Sequence, residues 1–264
     1  RVTPPASQAR PGVPRRVGLV DGGVDASHPA LAGVGVRHWG CGGRRVPDAH
    51  GTAVGSLLAG DVAGKARGRQ LFAADIYCGE PTGGAVTSLA EAMAWLAQER
   101  VAVVNLSLVG PPNRLLERLV AVMQARGHVL VAAVGNDGPA APPLFPAAYP
   151  GVIGVTAVDA RDRLLPEAVR GDAVDFAAPG SALWAAQPGG GYAPVRGTSF
   201  AAPLVAGLAA DRVRLPKPGA HDQILRGLAG DARDLGPRGH DPRFGHGLLA
   251  QDARRAWAVK LNED

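Results

Sequence analysis

The chain has 264 residues, of which 46% are hydrophobic and 19% charged, with a formal net charge of +5. That balance belongs to a globular chain able to bury a sizeable core, and it excludes a disordered or fibrous one. Aromatics make up only 5%, and the 25 arginines beside 3 lysines are scattered as singles and pairs, so no stacking platform or basic stripe for nucleic acid is present.

Residues 1–14 carry four prolines and no apolar periodicity. They read as an extended linker from a longer precursor, which leaves 15–264 as one domain. From Arg15 onward apolar runs alternate with helical patterns. "RVGLV" (16–20), "VAVVNLS" (101–107), "HVLVAAVG" (128–135) and "VIGVTAV" (152–158) are nearly continuous and rich in valine, as expected of strands buried on both faces. A helix is expected over 88–99, where Ser88 and Glu91 have capping-box spacing. A second is expected over 113–126, opened by Asn113 and closed by Gly127. The pattern predicts a three-layer, doubly wound α/β fold, with helices on both faces of a mostly parallel sheet. No apolar stretch approaches the ~18–20 residues of a membrane-spanning helix. Cys41 and Cys78 have no CxxC or His-rich partner, so no zinc site is expected.

Active groups in open α/β sheets collect outside the carboxyl ends of the strands. "VDGGVD" puts Asp21 at the end of the first strand, "DAHGTAVGSLLAG" puts His50 ahead of a small-residue helical segment, and "VAAVGNDGP" ends a buried strand at Asn136. "VRGTSFAAPLVAG" sets Ser199 at the mouth of an apolar segment. Singly, these residues read as turns and caps. Together, in the order Asp, His, Ser, they supply what nucleophilic attack on a carbonyl needs. A serine hydroxyl is a weak nucleophile until an imidazole takes its proton. A carboxylate on the other ring nitrogen holds the tautomer, and an amide donor stabilises the developing oxyanion.

With these motifs and "VVNLSLVGP" and "DLGPRGHDPRFGHGLLAQDA", the chain resembles the subtilisin-like serine proteases, or subtilases, over about residues 16–256. The resemblance implies a serine endopeptidase working through an acyl-enzyme. It makes Asp21 the orienting carboxylate, His50 the general base, Ser199 the nucleophile and Asn136 the oxyanion donor. It also implies that Gly83-Gly84-Ala85 and Ser107-Leu108-Val109-Gly110 pair with a polypeptide substrate bound as an extended strand. Ala133, Val134, Gly135 and Leu144 would complete a primary pocket that Val109 and Leu144 keep shallow. Cys41 and Cys78 would lie on one side of the cleft and form a disulfide, consistent with a secreted or periplasmic monomer preceded by an inhibitory propeptide. No cofactor is implied, and with Ala30 in the stretch matching a calcium ligand no metal is expected.

Gly22 and Phe200 depart from the usual pattern, which has Ser or Thr and Met at these positions. Phe200 is expected to crowd the leaving-group side. The alternative reading is a pseudoprotease, the same fold kept as a binding module. An α/β-hydrolase is excluded by the order of the three residues, and a dinucleotide-binding protein by the missing GxGxxG.

Overall fold

The apolar runs become strands covered on both sides. The computed structural model describes residues 14–60, 68–80 and 85–254. In chain order the elements are β1 (Arg15–Asp21), β2 (Gly35–Gly40), α1 (Ala49–Ala59), β3 (Arg69–Asp75), α2 (Val86–Gln98), β4 (Val103–Leu106), α3 (Arg114–Ala125), β5 (Val129–Ala133) and β6 (Ile153–Val158). There follow β7 (Phe176–Pro179), β8 (Leu183–Ala186), β9 (Tyr192–Val195), α4 (Thr198–Ala210) and α5 (Ala220–Asp231). Seven strands form one parallel sheet in the order β2-β3-β1-β4-β5-β6-β7, and β8 and β9 form a separate antiparallel hairpin.

Alternation along the strands sorts side chains into two layers. Val17 and Leu19 of β1 face α1, α4 and α5 with Val54, Leu58, Val205 and Ile224. Val20, between them and the strand end, faces α2 and α3 with Leu89, Met93, Val120 and Met123. The period of two thus divides one strand between two cores. α4 is apolar all round and almost wholly buried, the condition of a helix running through a core.

One helix start differs from the sequence reading and one agrees with it. α2 starts at Val86 with Ala85 as its N-cap and no side-chain cap bond, so Ser88 lies inside the helix and the expected capping box is not its start. α3 is capped as expected: Asn113 Oδ1 accepts from the N–H groups of Leu115 at 2.9 Å and Leu116 at 3.2 Å.

The β8–β9 hairpin leads directly into α4 and is held by side chains from the segment after β1. Asp25 accepts the N–H of Gly189 at 2.8 Å. His28 Nδ1 accepts the N–H of Ala30 at 3.0 Å, so its Nε2–H is the donor to the Gly191 carbonyl at 2.8 Å.

Candidate active site

β1 lies between β3 and β4, where the strand order reverses and a crevice opens at the carboxyl ends. Asp21, the last residue of β1, is buried there. Its carboxylate accepts the Gly22 N–H at 2.7 Å and meets His50 Nδ1 at 2.8 and 3.0 Å. His50 is the second residue of α1. Missing side chains let this helix dock so closely on the end of β1: a Cβ on Gly51 would fall 2.2 Å from the Gly22 carbonyl oxygen. Asp48 caps the helix, its Oδ1 accepting the Gly51 N–H at 2.9 Å. The sequence reading overlooked Asp48, although an Asp three residues before Gly51 has N-cap spacing.

With Nδ1 donating to Asp21, Nε2 is the basic nitrogen of the neutral ring. Burial presses the His50 imidazole down, but the hydrogen bond and charge of Asp21, with the charge of Asp48, outweigh it and raise the ring above its ordinary 6.5. Burial lifts the Asp21 carboxyl above 3.8; the bond and charge of His50 and the Gly22 N–H only partly offset it.

Ser199 is the half-buried second residue of α4, behind the N-cap Gly197. Pro203 stands four residues on and has no N–H to return to the Ser199 carbonyl. That carbonyl instead accepts the Ser107 hydroxyl at 2.9 Å, and Ser107 Oγ in turn accepts from Asn105 Nδ2 at 2.8 Å. Thus Ser107, from the segment after β4, braces the residue bearing the hydroxyl. Asn136 Oδ1 accepts the Thr198 N–H at 3.0 Å, and Thr198 Oγ accepts the Gly135 N–H at 3.2 Å. The first bond orients the Asn136 amide and leaves its Nδ2 as the remaining donor. The Phe200 ring packs on His50, with centroids 5.3 Å apart. Among the described residues no hydrogen bond joins Ser199 Oγ to His50; such bonds are often long in a resting site and tighten with substrate.

The other expected contacts divide. Gly83 and Gly84 lie outside the described residues, and Ala85 is exposed at the start of α2. Leu144 and Val109 do converge on Gly135: a Cβ there would meet Leu144 Cδ1 at 2.4 Å and Val109 Cγ1 at 3.5 Å. Ala133 and Val134 pack their side chains into the two cores, so they face no pocket, because strand alternation turns them into the layers. Gly110 exchanges both backbone hydrogen bonds with Phe145, which ties it to the Leu144 segment. Leu108 packs half-buried on the α2–α3 core. Cys41 and Cys78 form a disulfide, Cα atoms 5.2 Å apart. A concavity of about 650 Å³ lies beside this disulfide, lined by His38, Trp39, Arg44, Arg45, Asp75 and Glu91 among others, and includes none of Asp21, His50 or Ser199. A groove for an extended chain needs no enclosed cavity, so the hydrogen-bonded constellation marks the site better than cavity size does.

Comparison with known proteins shows the family. The subtilase family profile matches residues 15–247. Subtilisin BL of Lederbergia lenta is 33% identical over 264 residues, covering 96% of each chain. The minor extracellular protease Epr of Bacillus subtilis (strain 168) is 33% identical over 172 residues, 65% of this chain and 27% of its own. The solved structure of the prenylagaramide maturation protease PagA superposes with a TM-score of 0.78 at 27% identity, covering 94% of this chain and 95% of that one. This chain belongs to the subtilase family and is a serine endopeptidase.

Proposed function

We propose that the endopeptidase works through an Asp21–His50–Ser199 triad and an acyl-enzyme. The observation that carries this reading is the Asp21–His50 bond at the end of β1 beside the first turn of α4, which bears Ser199 and packs Phe200 on the His50 ring. Ser199 Oγ attacks the scissile carbonyl while His50 Nε2 takes its proton. Asp21 holds the ring and stabilises the imidazolium. Asn136 Nδ2–H donates to the oxyanion, and the positive end of α4 adds potential there. Collapse expels the amine, which leaves with the proton from His50. Water, deprotonated by the same ring, then hydrolyses the acyl ester and frees Ser199.

The substrate lies as an extended strand along residues 107–109 and the segment ending at Ala85. Gly110 is left out of that edge, because its backbone pairs with Phe145. Leu144 and Val109 fill the space over Gly135, so the residue before the scissile bond is small or medium and apolar. Asp137 is exposed at the rim, where water screens its pull on a basic side chain. The disulfide supports an extracellular or periplasmic setting.

A fluorophosphonate should label Ser199, and Ser199→Ala should lose the label together with several orders of magnitude in kcat/KM. Turnover like the parent's in Ser199→Ala would overturn the mechanism, and a parent that takes no label and cleaves nothing would make the chain a binding module.

A further inference from the structure

Gly22 follows Asp21, and the space its side chain would occupy is taken by another carboxylate. A Cβ on Gly22 would lie 2.7 Å from Asp48 Oδ1 and 2.8 Å from both Asp48 Cβ and Cγ. Asp48 is therefore packed against the residue whose N–H serves the Asp21 carboxylate. It is also tied down at three points. Its Oδ1 accepts the Gly51 N–H at 2.9 Å, its own N–H reaches the Gly23 carbonyl at 2.9 Å, and its carbonyl accepts the Thr52 N–H at 2.9 Å. It is half-buried and has no ion-pair partner among the described residues, and the three bonds hold it in place.

We infer that Asp48 is a second carboxylate of the catalytic couple, a positioning residue that acts on His50 by capping its helix and by charge, and that Gly22 exists to admit it. The inference rests on the Asp21–His50–Ser199 reading above. The groups facing His50 are Asp21 from β1, Asp48 at the head of its own helix and the uncharged Phe200 ring from α4. Tyr77, from the turn after β3, also feels both carboxylates; burial first and then their charges hold its hydroxyl above the usual 10.0. Two fixed negative charges favour the imidazolium that forms when Ser199 gives up its proton, which makes the ring a stronger base. The same charges delay its deprotonation, so the acid limb of the pH profile lies higher than Asp21 alone would set it.

Asp48→Asn keeps the shape and the cap, since Asn caps as well as Asp, and removes only the charge. The expected result is an acid limb of kcat/KM displaced to lower pH with the melting temperature unmoved. A merely structural cap would leave that limb in place, and an unmoved limb overturns the inference. Steric coupling is tested separately. Gly22→Ala in the parent should lower kcat/KM at least about tenfold by pushing α1 off the couple. In an Asp48→Gly background, where the three nearest clashing atoms are gone, the same change should be better tolerated. A Gly22→Ala loss equal in both backgrounds overturns the coupling. Ser199→Ala, assayed alongside, separates the two failures: if it is inactive while the limb stays put, the triad stands and the role of Asp48 falls.

Discussion

On the proposed reading of the pocket, Leu144 and Val109 outweigh any charge near the site in setting selectivity, because volume is a hard limit while a rim carboxylate is screened. Both crowd the space over Gly135, and forcing a larger group into filled space costs ~1–3 kcal/mol, or about 5- to 150-fold. Leu144→Ala should therefore raise kcat/KM for a peptide with Phe before the scissile bond relative to its Ala counterpart, by a factor in that range. A peptide series varied only at that residue measures it, and an unchanged Phe-to-Ala ratio would mean that Leu144 does not wall the pocket. Asn136 is the complementary case. The bond its Oδ1 accepts from Thr198 leaves its amide preorganised, and loss of such a donor in a subtilisin is worth ~2.7–4 kcal/mol.

At the scale of elements, the helices that position the site are held at their ends more than by propensity. α1 is built from small residues, is buried along nearly its whole length and begins at the Asp48 cap. α3 carries no catalytic group, so its cap is a clean probe of stability. Asn113→Ala should cost ~0.5–2 kcal/mol in urea unfolding with no change in kcat/KM. The Tyr149 hydroxyl, which bonds the Asn113 backbone N–H and carbonyl, survives that substitution. A loss of activity without loss of stability would show that α3 communicates with the cleft. The sequence reading found α3 through Asn113 and Gly127, yet it missed α5, whose Ala220, Ile224 and Leu228 repeat every four residues and are buried. That signal was legible. β7, Phe-Ala-Ala-Pro, was not, because four residues without a β-branched side chain become a strand only when β6 offers an edge.

Across the whole molecule two features set how stability responds to conditions. The disulfide joins positions 37 residues apart, and in the chain-entropy model closing such a loop stabilises by ~3–4 kcal/mol. Cys41→Ser/Cys78→Ser should lower unfolding free energy by that order, and a double variant as stable as the parent would refute it. Asp175, just before β7, accepts the Gly154 N–H at 2.8 Å. Burial pushes its carboxyl up to about 6, against the pull of that N–H and of the His240 charge. A folded pKa above the unfolded value means that the protonated form is favoured in the fold. The contribution is present below the ordinary 3.8 and is lost as pH rises through about 6. Asp175→Asn cannot ionise and keeps an acceptor for Gly154, so it should gain on the parent by ~1–3 kcal/mol between about pH 4 and about pH 8. Urea unfolding at both pH values tests this, and a constant difference would rule it out.

The sequence alone determined the layered α/β class and the strands of the sheet centre, and it supplied the residue types of the proposed catalytic set. These are written locally: short valine-rich runs read as strands covered on both faces, and Asp21, His50, Asn136 and Ser199 stand in short motifs whose chemistry is legible without coordinates. Tertiary structure alone decided what those residues touch. The pairing of Pro203 with the Ser107 bond to the Ser199 carbonyl joins positions 92 residues apart. The meeting of Gly22, Gly51 and Asp48 depends on atoms that are absent. A missing side chain reads in a sequence as freedom for a turn, and only the packed fold shows that here it is space another residue must fill.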